Sequence, residues 1–283
     1  MSDTKLVNWL FKTGAVRVCP EGKPFWYTSG TIGPYYINTH FLYGSEKKAL
    51  ELLEVIDAIK ADKLACPEKL LLMLEINYAS DEIFAGLIDS MLEFIKNNIE
   101  LDNIDYISGG ERRDWFFSLL AAKFLDKTHI TLYKDLSAVI TKNGETCTIE
   151  SIDGARVLHI ADLITEASSY ERAWIPAIQN VNGQLTHSVV VVDRLQGGGD
   201  LLEKNNVCSF AMVSIDKSFF DSALELGLIT KGQYDMLLLY IANPRESMKT
   251  FLDEHPEFLE NALKADDRTS ERARLCIDKK IYE

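Results

Sequence analysis

The stretch Ala155–Tyr170, ARVLHIADLITEASSY, decides the architecture. Its first half, RVLHIAD, is a short apolar run of the length of a buried strand, and the following SSYERAWIPAIQNV has helical spacing. Asp162 closes the strand, and Thr165, Ser168 and Ser169 occupy the turn before the helix. A carboxylate at a strand end can accept hydrogen bonds from sugar hydroxyls or help to hold Mg²⁺. Hydroxyls and turn amides ahead of a helix N-terminus suit a phosphate. The same residues also suit a structural role, in which Asp162 ends a strand and Ser168 or Ser169 caps a helix. Glu166 places an acid in a turn of this kind.

Working outward, the runs IDYISGG (104–110), HITLY (129–133), HSVVVVD (187–193) and VCSFAMV (207–213) have the same short apolar character. The helical stretches RRDWFFSLLAAKFL and GGDLLEKN stand between several of them. Continuous apolar strands alternating with helices predict an α/β fold with a parallel sheet flanked by helices. Ligands in such sheets bind beyond the carboxyl ends of the strands. That rim is expected to carry GGERRD, ADLITEASS and DRLQGGGD. In the first, Arg112 and Arg113 beside two glycines suit a pyrophosphate, with Glu111 and Asp114 as their alternative carboxylate partners. The segment AVITKNGETCTIESIDG interrupts the alternation as a hairpin or a long mobile loop.

Elsewhere TKLVNWLFKTGAV predicts a helix, and PFWYTSGTIGPYYIN predicts two short strands around a glycine-rich turn. Residues 46–98 are helical in pattern, with Ser45 placed to cap the first helix, Pro67 in the first turn of a second and Ser80 at the start of a third. The chain beyond Ser214 is again helical.

Composition narrows the functions. The 283 residues are 47% hydrophobic and 26% charged, as in a globular protein, and no apolar run reaches the roughly 18 residues of a membrane span. MSDTKLVNWLFKTG lacks the apolar core of a signal peptide, so the expectation is a cytoplasmic protein without membrane partners. Five dispersed cysteines form no CxxC pair and read as reduced, mostly buried thiols. A net charge of −13 opposes non-specific binding to nucleic acid. HExxH, GxSxG and GxxxxGK[ST] are all absent, and DRLQGGGD lacks the glycine spacing of a dinucleotide fingerprint.

In order along the chain, FWYTSGTIGPYYIN, ISGGERRDWFFSLLA, RVLHIADLITEASS and VVVVDRLQGG resemble the four motifs of the phosphoribosyltransferases, most closely the orotate type. The resemblance implies transfer of phosphoribosyl from phosphoribosyl pyrophosphate (PRPP) to an orotate-like pyrimidine base, with Mg²⁺, release of pyrophosphate and a homodimer. It implies a base site at Tyr35, Tyr36 and Arg194. Arg112, Arg113, Asp162, Thr165, Ser168 and Ser169 would bind PRPP, with Asp162 and Lys134 catalytic and Asp162 also meeting the metal. It divides the chain into a hood-like segment (1–45), a helical insertion (46–100), a phosphoribosyltransferase-like α/β core (101–214) and a helical C-terminal extension (215–283).

The chain departs from the pattern at Ala161, where the motif has a second acid, and at Glu166 and Ala167, where a small residue and glycine are usual. Thr28 and Thr31 replace basic residues, and the loop LYKDLSAVITKNGETCT retains Lys134 and Lys142 but no histidine. These losses all fall on phosphate-binding parts. They support the alternative of a catalytically inactive protein on the same fold that binds a nucleotide-like ligand or regulates a partner.

Overall fold

The computed structural model describes residues 4–282, which form two units: the chain up to Ala15 with Thr39–Ile215, and Val16–Asn38 with Asp216 onward. In chain order the first elements are α1 (Thr4–Lys12), β1 (Val16–Val18), β2 (Phe25–Trp26), β3 (Ile32–Gly33) and β4 (Tyr35–Ile37). The helical block is α2 (Glu46–Ile59), α3 (Ala65–Ser80) and α4 (Glu82–Asn98). The sheet region follows as β5 (Tyr106–Gly110), α5 (Trp115–Phe124), β6 (Thr128–Leu132), β7 (Ala138–Lys142), β8 (Glu145–Thr148) and β9 (Arg156–Ile164). It closes with α6 (Ile175–Asn180), β10 (Gln184–Asp193), α7 (Gly198–Lys204) and β11 (Cys208–Ser214). The last five helices are α8 (Lys217–Glu225), α9 (Lys231–Ala242), α10 (Pro244–Glu254), α11 (Pro256–Leu263) and α12 (Asp267–Asp278).

The larger unit is a seven-stranded sheet in the order β11-β10-β9-β5-β6-β7-β8. The first five of these strands are parallel, whereas β7 and β8 are antiparallel. Helices cover the central parallel strands, which is why they read as mostly apolar runs: Val189–Val192 on β10 are all fully buried. α5 is buried from Trp115 through Ala122 and is therefore apolar all round. The segment after β6 is a hairpin, because Asn143 (φ 52°) and Gly144 (φ 84°) both adopt the left-handed conformation of a tight primed turn.

The helical block packs into this unit. α2 buries Ala49, Leu52, Leu53 and Ile56, one stripe at i, i+3, i+4 and i+7, and Ser45 caps it by accepting from the Lys48 N–H. The third helix is capped by Asp81 rather than Ser80, since the Asp81 carboxylate accepts from Ile83 and Phe84. Ser80 instead ends α3, its hydroxyl donating back to the Ile76 carbonyl.

The smaller unit joins β1 to β4 and β2 to β3 in two antiparallel pairs and adds α8–α12. Residues 216–282 thus fold with the 16–38 segment, whereas Ile215 belongs to the larger unit. Trp26 stacks on Phe258, Arg272 donates to the Trp26 carbonyl at 2.8 Å, and the Tyr282 hydroxyl accepts from the Ile32 N–H at 2.9 Å. Gly30, at φ 85°, lets α12 approach: a Cβ there would lie 3.1 Å from Leu275 Cγ. Among the described residues no helix is long and apolar enough to cross a membrane, and the five cysteines are free.

Candidate functional site

The central strands of the larger unit part company at their carboxyl ends. β5 pairs with β9 only from Tyr106 to Ser108, so Gly109 and Gly110 lose their neighbour on that side. Asp114 fills the gap: its Oδ1 accepts from the Asp162 N–H and its Oδ2 from the Gly110 N–H, both at 3.0 Å. Trp115 Nε1 donates to the Gly109 carbonyl at 3.0 Å. Backbone groups freed by the splay are thereby satisfied by two adjacent side chains. Asp114 is therefore a strap between two strands and not the counter-ion of the neighbouring arginines.

Behind the strap runs a polar ladder. His159 on β9 lies 2.9 Å from Ser108 Oγ through Nδ1 and 3.4 Å from Asp114 Oδ2 through Nε2. His129 on β6 contacts Ser118 and Thr131. Gly109 and Gly110 admit this packing, because a Cβ on them would lie 2.1 Å from Ser118 Oγ and 2.2 Å from Trp174 Cε2.

A cleft of about 370 Å³ opens over this edge, and it is lined by Arg112, Arg113, Lys134, Asp162, Thr165, Ser168 and Ser169 together with Glu111, Asp114, Ala161, Glu166 and Tyr170. Asp162 is 8% exposed, and its Oδ2 makes no hydrogen bond. Burial and then the Asp114 charge push its pKa up to about 7, against the pull of Arg113. The 165–169 turn passes through Ala167 at φ 55°, a conformation that glycine adopts without strain. Glu166 is exposed at the mouth.

The two arginines have different surroundings. Arg112 is ion-paired with Asp57 of α2. Lys60, one turn further along the helix, meets Glu111 at 2.8 Å and Asp57 at 2.9 Å. Glu111 also accepts from the Lys134 N–H at 3.2 Å. The Glu111–Arg112 peptide is cis. Arg113 is exposed and forms no ion pair among the described residues, and the exposed Lys134 ammonium likewise has none. Asp57 and Lys60 escape a motif-based reading, because they lie over fifty residues from the loop they hold.

Arg194, in the larger unit, does not line this cleft. It follows β10, its N–H donating to the Ile164 carbonyl at 3.0 Å. Tyr35 and Tyr36 belong to the smaller unit. Tyr35 is buried against Phe220 and Tyr240, and the Tyr36 hydroxyl donates to the Trp26 carbonyl at 2.6 Å.

For Mg²⁺ the cleft offers the unpartnered Asp162 carboxylate oxygen as a buried hard donor. Among the described residues no group of three or more His, Cys, Asp or Glu side chains is placed to hold a metal. That fits an ion carried by one carboxylate and the ligand's phosphates rather than a protein cage.

Fold and cleft define the class: this is the phosphoribosyltransferase fold, with a cleft over the carboxyl ends of its central strands. Within that class the architecture is close to that of the orotate type. The chain is similar to the UMP synthase of Leishmania donovani (TM-score 0.58, 16% identity, 86% of this chain), spanning 42% of that protein's length. It is similar to the orotate phosphoribosyltransferase of Aeropyrum pernix (TM-score 0.51, 18% identity, 78% of this chain and 99% of that one). The Francisella tularensis orotate phosphoribosyltransferase gives a TM-score of 0.54 at 14% identity over 83% and 96% of the two chains. By sequence, no family model and no curated protein matches.

Proposed function

We propose that the cleft binds a phosphoribosyl compound and that its ancestral reaction is transfer of phosphoribosyl from PRPP to an orotate-like base. The observation that carries this reading is the buried Asp162 carboxylate with an unpartnered oxygen, set beside Arg113, Lys134 and the Thr165–Ser169 turn. In this reading Asp162 accepts from ribose hydroxyls, the turn holds the 5′-phosphate, and Arg113 and Lys134 stabilise charge on the departing pyrophosphate. Tyr35, Tyr36 and Arg194 are the proposed base-side residues, and a homodimer is the proposed assembly. Asp162 would hold Mg²⁺, whose contribution when bound is to neutralise phosphate charge.

A second reading, ligand binding without turnover, is favoured by the pairing of Arg112 with Asp57 and by Ala161 at the second acidic position. One experiment separates the two. The protein is incubated with PRPP, Mg²⁺ and a panel of bases, pyrophosphate is assayed, and binding of PRPP and ribose 5-phosphate is measured by calorimetry. Pyrophosphate release establishes the transferase, whereas binding without release selects the second reading. No binding of either compound overturns both. Asp162→Asn is expected to weaken whatever binding is found by about tenfold, the loss of one charge-assisted contact.

A further inference from the structure

We infer that Asp57 sets the ligand class of the cleft, fitting it to a monophosphate ester of a sugar or nucleoside rather than to a diphosphorylated sugar. The inference rests on the reading of the cleft as a phosphoribosyl site and concerns which charge that site accepts.

Asp57 and Lys60 stand three residues apart near the end of α2, on one face of the helix. They meet two successive residues of the loop after β5: Lys60 holds Glu111, and Asp57 holds Arg112. Lys60 also bridges to Asp57, which links the four residues in one charge-balanced chain of ion pairs, Glu111–Lys60–Asp57–Arg112. Asp57 is held below the usual carboxylate range by the Lys60 hydrogen bond and by Arg112, so it stays ionised at neutral pH. Arg112 lines the cleft, yet its charge is answered from within the protein.

Arg113 and Lys134 remain as the exposed cations, and they share the cleft with the carboxylates of Asp114, Asp162 and Glu166. A phosphate monoester carries about −1.5 to −2 charge at neutral pH, and it can draw on both of the cations that in the transferase reading would serve the pyrophosphate. The turn adds Thr165, Ser168 and Ser169, and the backbone N–H groups of Glu166 and Ala167 make no hydrogen bond among the described residues. A second phosphorylated position on the same sugar would need a further cation. Arg112 is the adjacent guanidinium and is committed to Asp57. Any excess negative charge would then face carboxylates at short range.

The test is calorimetry with ribose 5-phosphate and with PRPP, each with and without Mg²⁺, on the native chain, Asp57→Asn and the double variant Asp57→Asn/Arg112→Gln. The native chain is expected to bind ribose 5-phosphate at least as tightly as PRPP. Asp57→Asn should tighten PRPP about tenfold, one charge-assisted guanidinium contact, while ribose 5-phosphate changes less than about twofold. The double variant should return PRPP binding to the native value, which assigns the gain to Arg112. A native preference for PRPP of tenfold or more overturns the inference, as does a gain in Asp57→Asn that is equal for both ligands or survives in the double variant. The native preference decides the matter even if Asp57→Asn fails to fold. Binding of neither ligand by any of the proteins overturns the reading of the cleft itself, whereas preference for PRPP leaves that reading standing.

Discussion

Replacing His129 by Gln tests whether this histidine is uncharged in the folded protein. His129 is 2% exposed, with Nε2 2.9 Å from Ser118 Oγ and Nδ1 3.0 Å from Thr131 Oγ1. Burial, and then His159, lower its pKa from 6.5 to about 3. His40 is lowered to about 3 by burial and then by Arg113 and Arg112. Both are neutral in the fold where the unfolded chain, below pH 6.5, protonates them. Their contribution to stability is therefore complete above pH 6.5 and lost as the pH falls toward 3. Each histidine gives a slope of about 1.4 kcal/mol per pH unit, or about 2.7 kcal/mol between pH 6.5 and roughly 4.5. Together they remove about 5 kcal/mol, a large part of the ~5–15 kcal/mol that holds a typical domain folded. Asp162 works in the opposite sense, since its raised pKa makes the folded state bind a proton between pH 3.8 and about 7. That contribution is common to native and variant and cancels in their comparison. Urea titrations followed by tryptophan fluorescence across this pH range should show His129→Gln losing about 2.7 kcal/mol less than the native chain. An equal loss in the two proteins would refute the reasoning.

Four further outcomes follow from backbone and packing. Ala167→Gly, at φ 55°, should raise stability by about 0.5–1 kcal/mol through relief of the left-handed conformation, read as an increase in the urea midpoint. Gly110→Ala would drive a Cβ to 2.2 Å from Trp174 Cε2 and should destabilise by about 2 kcal/mol or more in the same assay. Gly199→Ala, which meets nothing within 4 Å on α7, should be neutral or stabilising by up to about 1 kcal/mol. Asp114→Ala leaves the Gly110 and Asp162 N–H groups without their acceptor and should cost about 2–4 kcal/mol, with faster amide exchange at those two positions.

The central parallel strands were legible because helices cover them, so Val189–Val192 form an unbroken apolar run and the polar residues of the other strands, such as Ser108 and His159, are buried and hydrogen-bonded. The helical block was legible from one stripe per helix, as at Ala49, Leu52, Leu53 and Ile56. β1 was not, since three residues, Val16–Val18, leave no period to detect. The helix start at Asp81 was missed by one residue because serine and aspartate both cap, and only the hydrogen bonds distinguish them. At the site, strand ends identified which residues share a rim but not which are already engaged. Arg112 and Arg113 are adjacent in sequence and equivalent in chemistry. Asp57, carried by a distant helix, makes them different.

The strap formed by Asp114 bears on how such a chain drifts over generations. A residue that merely bound ligand would be released from selection once the ligand was no longer used, and it would then vary freely. Asp114 cannot follow that course, because the amides of Gly110 and Asp162 depend on it whether or not anything occupies the cleft. A lineage could shed its chemistry entirely and still keep this aspartate. Its presence here answers to the backbone, and it says nothing about turnover.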